Sequence, residues 1–82
     1  MRNMNSPIIR WMKRENRRLA ALAILRRQVR RYDIAQVMIA AACRPPVDPS
    51  LVSHVLAGRA RSQRVVGTAK RLIARARERT RA

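Results

Sequence analysis

The sequence predicts an all-α domain, a small bundle of four to five helices. Three observations carry that prediction. Apolar residues recur at intervals of three and four in several separate stretches. No stretch alternates apolar and polar residues as a half-buried strand does. Capping residues and Pro or Gly stops punctuate the ends of the periodic stretches. At 82 residues the chain is one small domain at most. Its hydrophobic share is 48%, with no Phe, one Trp and one Tyr, and much of that share is alanine, so the core is expected to be thin and built by closely approaching helices.

Residues 1–6 lack periodicity and read as a loose arm. Ser6-Pro7 is a cap followed by a first-turn proline and opens a helix at Pro7. Ile8, Met12, Leu19 and Leu22 share a face, but Glu15 interrupts it. The pattern therefore allows one long helix, or a short one followed by a second. The firm part runs from about Glu15 to Arg30, with Leu22, Leu25 and Val29 as its buried stripe. Arg26, Arg27, Arg30 and Arg31 crowd its last turns, where cations suit the negative end of the helix dipole. On this reading residues 1–14 are a basic arm or short helix, 15–77 the main domain, and 78–82 a basic tail that frays. Trp11, with Ile8, Ile9 and Met12 around it, reads as a packing or dimer residue rather than a base-stacking one.

Asp33-Ile34-Ala35-Gln36 has the form of a capping box. It predicts a second helix from Ile34 to about Ala42, with Val37, Met38 and Ala41 facing inward and alanines 40–42 allowing close approach. Arg44-Pro45-Pro46 must end it. The third helix is the most sharply marked: Asp48 is the N-cap, Pro49 the first helical residue, and Gly58 the left-handed stop. Val52, Val55 and Leu56 fall on one face, while Pro49, Ser50, Ser53 and His54 fall largely on another. Ser62 then caps a helix from about Gln63 to Arg77, with Val65, Ala69, Leu72 and Ala76 inward. Gly67 lowers helix propensity there by about 1 kcal/mol.

The charge is extreme: 20 Lys+Arg against 4 Asp+Glu, a formal net +16, with eighteen of the cations arginine. Such an excess repels itself in the compact state, and a polyanion relieves it. The planar guanidinium fork suits phosphates and guanine edges. Cys43 is alone, which excludes an internal disulfide and favours a reducing compartment. The longest apolar runs, LAALAIL and VMIAAAC, are too short to span a bilayer, and the N-terminal stretch lacks the order of a signal peptide. With one His, one Cys and four scattered acids, no catalytic set, metal site or cofactor site can be assembled. The chain reads as a non-enzyme with no small-molecule substrate.

The run DPSLVSHVLAGRARSQRV resembles the recognition-helix region of the lambda-repressor-like (Cro/repressor, or XRE) helix-turn-helix family. Asp48, Ser50, Val52-Ser53, Val55 and Gly58 hold the places of the family's cap, small polar residue, Val/Ile-Ser pair, second buried aliphatic and loop-opening glycine. GRARSQRV is most like the small phage-type, Ner-like regulators. The resemblance is specific over residues 47–66 and weaker over 15–46. It implies a sequence-specific regulator of transcription, of phage or prophage type. Such a protein acts as a homodimer on double-stranded DNA, in the bacterial cytoplasm in association with the nucleoid. It also implies base-reading places at Pro49, Ser50 and His54, with Ser53 nearer the sugar-phosphate, and phosphate contacts from Gln36, Arg59, Arg61 and Arg64. One departure stands out. The family joins these helices by a tight turn, often with glycine, whereas CRPPV is longer, so either the second helix gains a turn or the link is enlarged. Two other readings of the charge remain: a non-specific nucleic-acid-binding or packaging protein, which the scarcity of stacking aromatics disfavours, and a basic helical protein that binds an acidic partner or an anionic membrane surface.

Overall fold

Glu15 does not break its helix. In the computed structural model, which describes residues 6–81, a single helix α1 (Pro7–Arg31) runs straight through it. The arm expected over residues 1–6 lies, apart from Ser6, outside the described residues. Ser6 starts α1 as its sequence suggests, its hydroxyl oxygen accepting from the Ile8 amide at 3.3 Å. Three further helices follow: α2 (Gln36–Ala42), α3 (Pro49–Leu56) and α4 (Gln63–Arg81), with no strand among the described residues. Among the described residues no helix is long and apolar enough to cross a membrane.

The end of α1 corrects the capping-box reading. Asp33 has φ +54 and is the left-handed residue that closes α1. The Asp33 amide donates to the Arg30 carbonyl at 3.2 Å and the Ile34 amide to the Val29 carbonyl at 3.0 Å, which is the Schellman pattern. Ile34 and Val29 are both buried and supply its accompanying apolar contact. An aspartate tolerates left-handed backbone better than most residues, so it serves as a stop for α1 rather than a start for α2. The cap of α2 is instead Ala35, with no side-chain hydrogen bond.

α2 is also rotated from the expected phase. Ile39, Ala40 and Cys43 are buried, whereas Val37 and Met38 are 63% and 50% exposed and Ala41 is exposed. VMIAAAC is apolar all the way round, so its sequence offers no contrast from which to phase the helix. The link to α3 is the enlarged alternative: α2 ends at Ala42 and residues 43–48 are not helical. In α4 the inward face is Val65, Ala69, Ile73 and Ala76, with Leu72 only half-buried, and the helix runs on to Arg81 rather than fraying after Arg77.

α2 packs mainly on α3, and α4 touches all three other helices. α1 packs on α3 and α4 but makes no close backbone approach to α2. The core is one cluster, from Leu22, Leu25 and Val29 of α1 through Ile39, Cys43, Val52 and Val55 to Val65 and Ile73. Thr68 is the one buried polar side chain among the described residues, and its hydroxyl accepts from Arg71 at 3.1 Å. The molecule is elongated, 54 × 30 × 17 Å. A 25-residue helix alone spans about 37 Å, and the first turns of α1 extend beyond the core.

Candidate nucleic-acid interface

α3 is fixed at both ends, and each fastening can be traced to particular atoms. At its start Asp48 Oδ1 accepts from the Ser50 amide and from the Ser50 hydroxyl, each at 2.9 Å. Those two hydrogen bonds, the backbone one first, hold the Asp48 carboxyl below the usual aspartate range. At its end Gly58 has φ +86. The Gly58 amide donates to Val55 and the Arg59 amide to His54, at 3.1 and 2.9 Å, again the Schellman pattern.

Two arginines of α1 complete the C-terminal fastening. Arg18 donates to the Gly58 carbonyl at 3.1 Å, and Arg26 donates to the Leu56 carbonyl. Cations are favoured where a helix leaves unpaired carbonyls. Glu15, which interrupts the apolar stripe in sequence, organises this corner. It accepts from Arg18 at 3.0 Å, within α1, and from Arg61 at 2.6 Å, beyond α3. The Arg18 hydrogen bond and the two positive charges hold its carboxyl below the ordinary glutamate range. None of these three roles was assigned from sequence, where Arg26 figured only as a charge at the end of its own helix.

With α3 held this way, Val52, Val55 and Leu56 are buried, while Pro49, Ser50, Ser53 and His54 are all exposed. The Ser50 hydroxyl hydrogen is committed to Asp48, so toward an incoming group the oxygen acts as an acceptor. Exocyclic amino groups of adenine and cytosine are donors of that kind. Gln36, the first residue of α2, is exposed and lines a recess together with Ser53, Leu56, Arg26 and Arg30. Arg30 is therefore a cation beside the Gln36–Ser53 pair that sequence reasoning did not single out. The short turn from α1 to α2 carried that signal, because it returns the end of α1 to the start of α2.

The flanking arginines are not grouped as one set. Arg59 and Arg64 are exposed on either side of the turn into α4. Arg61 is drawn toward α1 by Glu15 and lines a different groove, between α1 and α4, with Arg18 and Lys70. Comparison of the chain with protein-family models, with curated proteins and with solved structures finds no match. What the arrangement can do is read from its geometry: a small polar helix face, cations near it, and no cluster of three potential metal-ligating side chains among the described residues.

Proposed function

We propose that the chain is a sequence-specific double-stranded DNA-binding regulator of transcription, of phage or prophage type, acting as a homodimer with α3 in the major groove. The observation that carries this reading is the two-sidedness of α3, with three apolar side chains buried and Pro49, Ser50, Ser53 and His54 facing out. The close packing of α2 on α3 supports a helix-turn-helix of the lambda-repressor-like kind, with a longer link between its helices. The N-terminal part of a recognition helix meets base edges. On this reading Pro49, Ser50 and His54 read bases, and Ser53 lies nearer the sugar-phosphate. Gln36, Arg59 and Arg64 contact phosphates, while Arg61 reaches one by exchanging its bond to Glu15. The protein binds and performs no chemistry, and its place is the nucleoid of a bacterial cytoplasm.

Selection of bound sites from a random duplex library at near-physiological salt tests the proposal. The expected result is a preferred sequence with two-fold symmetry. His54→Ala changes which sequence is preferred, whereas Arg59→Ala weakens all sequences alike. Affinity falls steeply with salt, log K dropping by about 0.9 per phosphate neutralised. Tight binding with no preferred sequence would overturn the regulator reading in favour of a packaging protein.

A further inference from the structure

The groove between α1 and α4 is a space of about 260 Å³, and Val55, on the buried side of α3, reaches its floor. Room remains there because two of the lining side chains, Ala21 of α1 and Ala60 of the loop before α4, end at Cβ. Ala21 is exposed, and Ala60 and Val66 are half-buried. Behind them stand Leu22, Leu25 and Val55 of the core. The apolar lining is therefore aliphatic throughout, and part of it is open to water.

Three cations border this space, Arg18, Arg61 and Lys70. Glu15 is paired with both arginines, so one carboxylate stands against three cations and two positive charges are left over. Arg18 is committed to Glu15 and to the Gly58 carbonyl. Lys70 is exposed and has no ion-pair partner among the described residues. Arg61 is 68% exposed and spends one donor on Glu15, of the five that a guanidinium carries. An inorganic anion or a phosphodiester would satisfy these cations and leave the aliphatic lining wet. An uncharged apolar molecule would cover the lining and leave the cations as they are. A charged head on an apolar body answers both.

We propose that the α1–α4 groove is a binding site for an amphipathic monocarboxylate, its head between Lys70 and Arg61 and its apolar body along Ala21, Ala60 and Val66. A carboxylate is the head that Arg61 already accommodates, in the form of Glu15 at 2.6 Å. At about 30 Å³ for each water-sized group the space holds roughly nine of them, so a body of about eight to ten carbons fills it. Small-ligand sites have this general make-up, a mostly apolar lining with a few placed polar groups. The space is at the small end of such sites and half-open, so binding is modest, with a dissociation constant on the order of 0.1 mM for a ten-carbon carboxylate. The site shares only Arg61 with the residues proposed to meet DNA, and it stands or falls without that reading.

Amide NMR titration of the full chain with decanoate, without DNA and below the concentration at which decanoate forms micelles, tests this. Expected are saturable shifts, one site per chain, centred on Ala21, Ala60, Val66 and Lys70, with helical circular dichroism unchanged. Affinity rises about threefold to fourfold per methylene from hexanoate and levels off near decanoate, where the groove is full. Acetate, which has the head alone, and decyltrimethylammonium, which has the body with the opposite charge, do not bind there. Ala21→Phe fills the groove and abolishes binding. Lys70→Met weakens it by about threefold to fivefold, whereas Arg75→Met, the same loss of charge on α4 outside the groove, leaves it unchanged. All three positions are exposed, so the variants keep their helices. No saturable shift at millimolar decanoate overturns the proposal. So does an affinity that keeps climbing through dodecanoate, that survives Ala21→Phe, or that falls equally in Lys70→Met and Arg75→Met, since each marks a general attraction to a cationic surface. Acetate binding as tightly as decanoate overturns it too, leaving a site for small anions only. None of these readouts involves DNA, so their failure leaves the regulator reading intact.

Discussion

α2 and α3 lie against one another and are nearly equal in length, seven and eight residues, yet they are held by different means. α3 has a carboxylate at its start, a left-handed glycine just past its end, and two guanidiniums there, one on its last carbonyl and one on that of the glycine. α2 has no side-chain cap and keeps its place through the burial of Ile39, Ala40 and Cys43. Helices this short are not stable alone, so each depends on its fastening. Burial fixes where a helix lies, whereas directional polar contacts at both ends also fix how it is turned. The helix proposed to read bases is the one with both.

The largest effect that tests this contrast is expected at Ile39, which is fully buried. Ile39→Ala should cost about 2–5 kcal/mol in urea unfolding, since burial is what holds α2. A loss smaller than that at Gly58 would break the contrast. Gly58→Ala ranks second. Its positive φ costs a non-glycine residue about 1–2 kcal/mol, and an added Cβ would sit 2.8 Å from Leu19 Cδ2, so Leu19 must give way.

Asp48→Ala should have a smaller effect, readable by its pH dependence. The Asp48 carboxyl is lowered from its ordinary value of 3.8 by its bonds to Ser50. Its stabilisation is therefore fully present above the unfolded value and disappears as pH falls through the lower folded one. Thermal melts of the wild type and the variant should converge at acid pH. Asp48→Asn, which keeps an acceptor, should retain part of the cap without that dependence. Glu15 is lowered as well and acts in the same direction, so the difference between wild type and variant isolates Asp48. The smallest effect is expected at Met38, half exposed on α2. Met38→Ser should change stability by no more than about 0.5 kcal/mol, and a large loss would mean that α2 turns a different face inward.

What the sequence made legible was local. Ser6-Pro7, Asp48-Pro49 and Gly58 mark helix ends through bonds to residues a few positions away, and each does so in the structure. Asp33 misled because one residue type serves both as a cap and as a left-handed stop, and which it does depends on Ile34 meeting Val29. α2 could not be phased because every position in it after Gln36 is apolar. The role of Glu15 was not legible because one of its two partners, Arg61, lies 46 residues away. The exposed face of α3 was legible because polar and apolar residues alternate there at helical spacing. The recess joining Gln36, Ser53 and Arg30 was not, because it needs the turn that brings three helices together.

The guanidiniums of Arg18 and Arg26 on the carbonyl end of α3 bear on the heat signature of complex formation. A segment already fixed by bonds to a neighbouring helix has little freedom left to surrender when a ligand arrives. Calorimetry on a duplex should therefore give a heat-capacity change in proportion to the contact surface alone, without the excess that marks a chain segment folding as it binds.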